Sequence, residues 1–395
     1  MNADPIDRLP TLSLEKALAR IDACTRTLPS EEVAVADALD RMLAVEAVAA
    51  LDYPPADRAA MDGWALRSAD TVGASAYGPL TLATSGADGL PPNAAAPVQA
   101  GERLPAGADC VAPPEVSQPG APGTIDIIEP VAPENGIERG ASHFARGSIL
   151  LGPGRRLRAS DLALLAVAGI ARVAVTRQPR IAILTTGTGS AEAAATAAML
   201  VPLLERDGGC IAETRNVERA PAVIRQAGAI PTADVVLVAG GPTRGRDRIF
   251  LAACESTPDF AEVALAPGGS MAMGTIGGAM AFSLPAAPVA CFCAYEIVVA
   301  RVVRRLAGHS LSMPFQKVPL KLMRKIVSAI GTTEICLVRR QEDGVEPLTG
   351  ASPFNLLALA RADGFVIVAE GSEGMPAGTA APVRLFELAP VNIAS

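Results

Sequence analysis

The sequence predicts a multidomain α/β protein in which a central three-layer α/β domain is flanked by a helical, extended linker region and two small β domains. A length of 395 residues is too great for one ordinary core and suggests two to four domains. After residue 180, short apolar runs that end in glycine alternate with a helical stretch, which is typical of a layered βαβ domain. Pro-rich and Gly-rich stretches with short strand-like pieces precede residue 145 and indicate a small β domain.

The first predicted element is an N-terminal helix. Its apolar positions recur at spacings of three and four residues: Leu14, Ala17, Leu18, Ile21 and Cys24. Ser13 is the expected N-cap, and Glu15 lies in the first turn, where a negative charge suits the helix dipole. A second helix is expected over residues 160–170, with Ser160 and Asp161 as its cap.

These patterns divide the chain into four expected domains. A helical, extended linker domain comprises residues 1–50 and 145–176, and a small β-rich domain occupies residues 51–144 between them. The α/β domain spans residues 177–309, and a small β-barrel-like domain spans residues 310–395.

The α/β domain contains two predicted parallel strands, at residues 180–187 and 234–241, each of which ends in glycine. In such sheets, ligands bind outside the carboxyl ends of the strands. A ligand is therefore expected near residues 185–189 and 240–248. A strongly apolar helix is expected over residues 292–306.

Composition and charge exclude several classes of function. The formal charge of −7 and the pI of about 5.1 disfavour nucleic acid as a partner. No apolar run approaches the roughly 18 residues of a membrane span, and no basic segment followed by an apolar one marks a secretory signal. The seven cysteines are irregularly spaced, as buried thiols in a reducing compartment are, so the cytoplasm is the expected location. Cys291 and Cys293 form a pair without a nearby His or Cys partner, and we predict no metal site there.

Residues 57–65 read Asp-Arg-Ala-Ala-Met-Asp-Gly-Trp-Ala and form the most informative segment. Two carboxylates, those of Asp57 and Asp62, lie five positions apart among small residues, and Gly63 follows the second. Small side chains let a backbone approach a ligand, a glycine permits a turn, and carboxylates transfer protons or bind a cation. The same residues also suit a solvated turn without a ligand, so both interpretations stay open.

Three segments match motifs of one family in the family's order. Residues 57–65 are similar to a D-x-S-A-M-D-G-Y-A motif, with Ala59 and Trp64 in place of its Ser and Tyr. Residues 101–109 are similar to a G-x-x-x-P-x-G-A-D stretch, and residues 360–378 to a C-terminal A-x-A-D-G … G-x-x-G pattern. Over nearly its whole length the chain resembles the MoeA-type molybdopterin molybdenumtransferases, whose eukaryotic relatives include the gephyrin E domain. The resemblance implies a MogA-like central domain.

The resemblance also implies a reaction, the insertion of molybdate into the dithiolene of adenylylated molybdopterin with release of AMP, by a homodimer that uses Mg²⁺. A substrate with a pyrophosphate needs Mg²⁺ ligands, cationic groups and backbone N–H donors, and molybdate, a dianion, needs positive charge close by. Asp57 and Asp62 are then the expected catalytic carboxylates, and the metal ligands stay unassigned. The residues expected to bind an anionic pterin or nucleotide ligand are Met61, Gly63, Thr186, Gly187, Gly240, Gly241, Arg244, Arg246, Pro267, Gly268 and Pro285.

The chain departs from the family at charged positions. Residues 139–142 read Arg-Gly-Ala-Ser in place of R-G-E-D, and residues 186–190 read Thr-Gly-Thr-Gly-Ser in place of T-G-D-E-L. Residues 266–270 replace K-P-G-K-P and lack both lysines expected to hold molybdate, and residues 284–290 lack polar groups of L-P-G-N-P-V-S. Turn-forming Gly and Pro positions survive, whereas the charged ones do not.

The loop at residues 240–248 changes the sign of its charge. It reads G-G-P-T-R-G-R-D-R where the family has G-G-V-S-x-G-D-x-D, so Arg246 and Arg248 stand in place of the expected acids. Asp247 lies one position out of register. These arginines, together with Arg244, either contact phosphates directly or face solvent.

Three functions stay open. The leading prediction is a divergent molybdenumtransferase-like protein of molybdenum cofactor biosynthesis with impaired or altered activity, which uses Asp57 and Asp62 with the loop arginines. The alternative is a non-catalytic pterin-binding or nucleotide-binding protein, or a scaffold, on the same fold. The third is an enzyme that acts on another phosphorylated or anionic compound. The missing lysines and acids favour the alternative, and the largely intact segment 57–65 favours the first.

Overall fold

The computed structural model of the chain describes residues 10–86, 89–186, 191–348 and 355–387, without the side chain of Glu192. The chain folds into two compact units. Unit 1 takes its residues from 1–31 and 176–395, and unit 2 consists of residues 32–175. The finer division into four domains remains a prediction.

The helices of the described residues lie mostly in unit 1. The α-helices are α1 (Leu14–Cys24), α2 (Ala159–Val167), α3 (Ala191–Arg206), α4 (Pro221–Gly228), α5 (Arg248–Ala253), α6 (Pro288–Ala294), α7 (Ala300–Leu306) and α8 (Leu356–Arg361). A π-helical turn, Tyr295–Val299, joins α6 and α7 into one helical segment over residues 288–306.

The strands are short in the first half of the chain and longer in the second. The strands up to residue 176 are β1 (Ser30–Ala34), β2 (Ala47–Val48), β3 (Arg58–Ala59), β4 (Gly63–Leu66), β5 (Leu80–Thr84), β6 (Ala94–Val98), β7 (Cys110–Ala112), β8 (Ser117–Pro119), β9 (Thr124–Ile127), β10 (Ile137–Glu138), β11 (Ile149–Leu151) and β12 (Arg172–Thr176). The later strands are β13 (Arg180–Thr186), β14 (Cys210–Val217), β15 (Val235–Gly241), β16 (Leu265–Ala266), β17 (Ala272–Ile276), β18 (Ala279–Pro285), β19 (Gln316–Lys321), β20 (Ile326–Val327), β21 (Thr333–Gln341), β22 (Gly344–Pro347), β23 (Gly364–Val368), β24 (Gly374–Met375) and β25 (Ala380–Leu385).

The five-stranded sheet of unit 1 has the order β14-β13-β15-β18-β17 and is parallel except for β17. Side chains alternate between its faces, because side-chain direction along a strand has a period of two. Ile181 and Leu237 pack on one face with apolar residues of α1, α3 and the 288–306 segment. Ala182 and Val238 pack on the other face with residues of α4 and α5. The sheet therefore lies between two helical layers, which confirms the predicted three-layer α/β domain.

A buried ion network connects α3 to the 288–306 segment. Arg206 at the end of α3 donates to both carboxylate oxygens of Glu296, at 2.7 and 3.0 Å. Asp207 accepts from Arg206 at 2.7 Å and pairs with Arg304 at 3.2 Å. Both carboxylates are about 1% exposed, and desolvation raises the pKa of Glu296 although the guanidinium opposes that shift. Pairing is what makes the burial of these charges tolerable.

The C-terminal part of unit 1 is a second sheet, in the order β16-β21-β23-β25-β19 with β22 paired to β21. Its strands form a core of their own around Val338, Val366 and Val383. Strand β16 lies before the helical segment 288–306 in the chain and β21 lies after it, and the two strands pair in parallel. The chain between β16 and β21 therefore connects the α/β layers to the second sheet.

Unit 2 contains a six-stranded sheet in the order β7-β4-β6-β5-β9-β8. Leu66, Leu82 and Ile127 are buried in the core of this sheet. A separate core in unit 2 packs Leu165 of α2 against Leu43 and Val175. The small β-rich fold predicted from the turn-rich sequence is thereby confirmed.

The predicted N-terminal helix is confirmed, because α1 begins after Ser13, whose hydroxyl accepts the Lys16 N–H at 3.3 Å. The predicted cap of the second helix is wrong, because α2 begins at Ala159 and Asp161 is its third residue. There the Asp161 carboxylate accepts the Arg158 N–H at 2.9 Å. The backbone N–H at the start of the helix thus finds its acceptor in the first turn, in the way that the acidic residue of a capping box provides one.

Two features concern the apolar helices and the cysteines. Among the described residues, no helix combines the length and apolarity that crossing a membrane requires. All seven cysteines are free thiols. Cys291 and Cys293 are buried in α6, where desolvation raises the pKa of the Cys291 thiol to about 12.

Gly63 in β4 is fixed by packing. A Cβ at this position would lie 2.2 Å from the backbone oxygen of Ala112 on the neighbouring strand β7. We expect Gly63→Ala to destabilise unit 2 by about 2–3 kcal/mol, because overpacking against a backbone atom forces the strands apart. Urea unfolding followed by the fluorescence of Trp64, the only tryptophan of the chain, measures this directly.

Gly152→Ala is the matched control. A Cβ at Gly152 would meet no atom within 4 Å, and the residue also belongs to unit 2. We expect this variant to unfold within about 0.5 kcal/mol of the wild type. Equal stability of the Gly63 and Gly152 variants would contradict the packing role.

Candidate functional site

The carboxyl edge of the five-stranded sheet brings together several residues predicted from the sequence. Thr186 ends β13, Gly240 and Gly241 end β15, and Pro285 ends β18. Gly241 lies opposite Pro285 in the register of β15 and β18. Strand order reverses beside β13, since β14 lies on one side of it and β15 on the other. Such a reversal is where open α/β sheets bind ligands. Gly187, the next predicted residue, lies outside the described residues.

Two glycines allow the strand ends to approach one another closely. Gly240 has a φ of +118°, and a Cβ there would lie 2.2 Å from the Thr186 hydroxyl oxygen. A Cβ on Gly241 would lie 2.9 Å from both Asp247 Oδ2 and Ser283 Oγ. Any side chain at either position would therefore displace the polar groups of the edge.

Asp247 is the centre of these polar groups. Its Oδ1 accepts the Arg219 Nη2–H at 2.6 Å and the Phe250 N–H at 3.1 Å, and its Oδ2 accepts the hydroxyl of Ser283. Asp247 is about 1% exposed and caps the start of α5. The carboxylate is thus held inside the protein by three hydrogen bonds.

Arg219 is a site residue that the sequence analysis missed. Its Nη1 donates to the Thr186 hydroxyl at 3.0 Å, while its Nη2 holds Asp247. The residue follows β14, so it lies at the same sheet edge as the other strand ends. Strand β14 contains few apolar residues, so its sequence shows no clear strand pattern. The strand, and with it the position of Arg219, was therefore not predicted.

A small pocket of about 340 Å³ lies at this edge. It is lined by Gly240, Gly241, Pro242, Asp247, Ile249 and three arginines, Arg219, Arg246 and Arg248. Within the described part of this lining, Arg246 of the loop after β15 and Arg248 at the start of α5 contribute guanidinium groups, and Asp247, the one carboxylate, is engaged by the protein itself.

A larger cleft of about 940 Å³ lies between the same loop and the second sheet of unit 1. Its lining includes Arg244, Pro267 and Gly268, which the sequence predicted, and Lys325, which it did not. Arg244 and Lys325 are exposed, and both bring positive charge to the cleft. Ser270 in the same lining donates to the Pro242 oxygen at 2.6 Å.

Steric contacts explain why no lysine stands at the second lysine position of residues 266–270. Gly269 occupies its place, and a Cβ there would lie 2.3 Å from the Val263 oxygen and 2.4 Å from the Leu265 oxygen. No side chain fits at this position with the observed backbone. Any cation that serves the cleft must therefore come from elsewhere, as Arg244 and Lys325 do.

The remaining predicted site residues lie in unit 2. Asp57 accepts the Gly140 N–H at 2.8 Å and pairs with Arg139 at 2.5 Å. The Gly140 hydrogen bond, followed by that of Arg139, lowers the pKa of the Asp57 carboxyl. Asp62 is exposed and accepts the Ala100 N–H at 2.8 Å. Asp57 is therefore an ionised group in a fixed orientation.

The small and apolar residues of segment 57–65 are accounted for by packing. Ala59 and Ala65 are buried, and Gly63 is required where β4 meets β7. Met61 packs over Gly136, where a Cβ would lie 3.2 Å from its Cγ. A ligand role for Met61 and Gly63 stays a proposal beside this structural role.

The described residues offer few donor groups for the divalent cation that the family resemblance implies. Within the described residues, no group of three or more His, Cys, Asp or Glu side chains is arranged to hold a metal. Among the described residues that line the small pocket, the one carboxylate is that of Asp247, whose oxygens already accept three hydrogen bonds. Mg²⁺ needs oxygen ligands that are free to coordinate, so these residues do not fit it.

Two family models match the chain. The MoeA N-terminal region (domain I and II) matches residues 12–169, and the MoeA C-terminal region (domain IV) matches residues 319–386. Together they account for more than half of the sequence.

Known proteins align over nearly the whole length. A molybdopterin molybdenumtransferase of Staphylococcus aureus (strain MRSA252) is 26% identical over 412 residues, which cover 97% of each chain. The structure of a molybdopterin biosynthesis MoeA protein from Pyrococcus horikosii superposes with a TM-score of 0.76 at 26% identity, covering 96% of this chain and 100% of the other. The two family models and the alignments over nearly the whole length show that the chain belongs to the MoeA-type molybdopterin molybdenumtransferase family as a divergent member.

Proposed function

We propose that the chain acts in molybdenum cofactor biosynthesis on adenylylated molybdopterin, as a divergent molybdenumtransferase with impaired activity. The observation that carries the proposal is the polar edge of the five-stranded sheet, where Gly240 and Gly241 line a pocket at the strand-order reversal and Arg219 of the same lining donates to the Thr186 hydroxyl at 3.0 Å. Relatives matched over 97% of the chain carry the name molybdopterin molybdenumtransferase. All seven free cysteines suit a reducing compartment, and we place the protein in the cytoplasm.

The large cleft is the proposed place for molybdate. Arg244 and Lys325 supply the positive charge that a dianion needs, although Glu262 and Glu334 in the same lining offset it. The family's paired lysines would provide a stronger field from fixed positions. A weaker positive electrostatic potential in the large cleft is one reason to expect slow insertion of molybdate.

Asp57 is the proposed base or fixed negative charge for cleavage of the adenylate. Since its pKa is lowered, it is ionised at neutral pH and accepts rather than donates a proton. Its hydrogen bonds with Gly140 and Arg139 orient it, but they also reduce its basicity. A weak base combined with lost lysines and acids again predicts reduced turnover.

The alternative is a non-catalytic pterin-binding or nucleotide-binding protein. The specific observation in its favour is that Gly269 leaves no room for the second lysine, while Asp247 is unavailable as a metal ligand. Removal of a single charge-stabilising group typically costs about a hundredfold or more in rate. Several such losses together would leave binding without turnover, although they do not simply add.

AMP release and ligand binding, measured in parallel, separate these functions. We expect the chain to bind molybdopterin-AMP, and with molybdate and Mg²⁺ to release AMP at least about a hundredfold more slowly than a family member that carries the K-P-G-K-P lysines. Binding without any AMP release would support the non-catalytic alternative. Release at the full family rate would contradict impaired activity, and failure to bind would contradict both.

We also propose that the chain forms a homodimer, as the family resemblance implies. Val48 and Ile149 lie opposite each other across β2 and β11, so their side chains share one face. They are 40% and 63% exposed. This exposed apolar cluster of Val48 and Ile149 suits contact with a second copy of the chain.

Sedimentation velocity tests the dimer. The wild type is expected at twice the chain mass of 40.3 kDa, and Ile149→Asp is expected to shift the population toward the monomer, because a buried charge weakens an apolar interface. Val72→Asp is the control, since Val72 is 75% exposed in unit 2 and lies outside the cluster. A monomeric wild type, or an Ile149→Asp variant that stays as dimeric as the control, would contradict the proposal.

A further inference from the structure

A third pocket, of about 430 Å³, lies in unit 1 where α3 and the 288–306 segment meet the second sheet. We call it the phenylalanine pocket, and its apolar lining includes Met199, Leu203, Phe292, Phe315, Leu359 and Phe386. We propose that it binds an amphiphilic carboxylate, whose apolar body lies among the rings and whose carboxylate lies beside Lys317 and Arg384. The site is separate from those of the proposed function, since none of its described lining residues borders the small pocket or the large cleft.

The apolar part of the phenylalanine pocket is built from aromatic rings. The ring centroid of Phe386 lies 5.6 Å from those of Phe292 and Phe315, and the rings meet edge to face. Met199 and Leu203 of α3 line the same space. A pocket of this volume, with an apolar lining and few charged groups, is typical of small-molecule sites. A phenyl ring or a short alkyl chain therefore fits there.

The charged groups of the lining leave the position of the ligand's charge to the neighbouring strands. Arg206 donates to both carboxylate oxygens of Glu296, at 2.7 and 3.0 Å, so these two charges compensate each other. Glu387, at the rim, is exposed and repels a carboxylate. It follows Phe386 in the chain, whereas Arg384 precedes Phe386. Negative and positive charge thus lie on either side of Phe386 along the chain, and a carboxylate is expected on the side of Arg384.

Two cations lie on the face of the second sheet that carries the phenylalanine rings. Arg384 in β25 lies in register between Lys317 in β19 and Phe365 in β23. Residues directly opposite each other in antiparallel strands share one face. The Phe365 ring is 5.8 Å from that of Phe386, so this face continues into the phenylalanine pocket. Arg384 is half-buried there, and Lys317 is exposed.

Neither cation has a partner within the described part of the chain, where no hydrogen bond or ion pair engages the side chain of Arg384 or Lys317. Desolvation lowers the pKa of the Arg384 guanidinium, and no nearby acid opposes that shift. Like charges directly opposite each other destabilise a pair of strands, and a partly buried charge without a partner is costly. A carboxylate bound between the two cations would offset both costs, because a guanidinium binds it through two parallel hydrogen bonds.

Titration calorimetry with phenylbutyrate tests the proposal on the full chain. Phenylbutanol and phenylbutylamine have the same apolar body without the negative charge. We expect phenylbutyrate to bind at least about tenfold more tightly than either, because hydrogen bonds to charged groups are the stronger ones. Arg384→Gln should weaken phenylbutyrate binding about tenfold and phenylbutanol binding by less than about twofold.

Arg340→Gln is the matched control for charge. Arg340 lies in β21, is exposed and does not line the phenylalanine pocket, so its substitution removes one positive charge and should leave phenylbutyrate affinity unchanged. Met199→Trp fills the apolar part without changing any charge and should weaken the binding of all three compounds.

Four results would each overturn the carboxylate site. These are the absence of phenylbutyrate binding, phenylbutyrate binding no tighter than that of phenylbutanol, an equal loss of affinity in the Arg384 and Arg340 variants, and unchanged binding in Met199→Trp. Because no measurement in this series involves molybdopterin or AMP release, its failure leaves the proposed function standing.

Discussion

The buried carboxylate of Asp247 is the interaction on which the candidate site depends. It connects three pieces of chain that are distant in sequence, because it binds Arg219 after β14, Ser283 in β18 and the first turn of α5. Without an anion at this point, Arg219 would be a partly buried cation with only a neutral hydroxyl beside it, and unpaired buried charge is costly. The loop after β15 and the guanidinium of Arg219 are thus held in place by one residue.

The glycines and the charged residues of the candidate site are constrained for different physical reasons. Gly240, Gly241 and Gly63 are confined by neighbouring atoms at less than 3 Å from any Cβ, so the fold itself requires them. Lysines and acids that face a cleft are constrained only by what they bind. The fold can therefore fix these glycines without fixing the charges at the edge of the sheet.

Much of the fold was predictable from the sequence, because buried parallel strands are apolar throughout and end in glycine. The ends of β13 and β15 were placed in this way, as were Thr186, Gly240 and Gly241. Arg219 and Lys325 were not predictable, since β14 shows weak alternation and Lys325 lies far in sequence from Arg244 in the same cleft. The structural role of Asp247 was also hidden, because hydrogen bonds between β18, α5 and the β14–α4 connection leave no pattern in the sequence.

We propose that residues 240–248 line the sheet edge with guanidinium groups and hold no divalent cation. Electron paramagnetic resonance of Mn²⁺, a stand-in for Mg²⁺, tests it most directly on the wild type and on the double variant Arg246→Asp/Arg248→Asp. The account predicts that the wild type takes up no Mn²⁺ at this loop, and that the double variant, with two carboxylates restored, takes up about one ion per chain. A wild type that binds Mn²⁺ as tightly as the double variant would contradict the account.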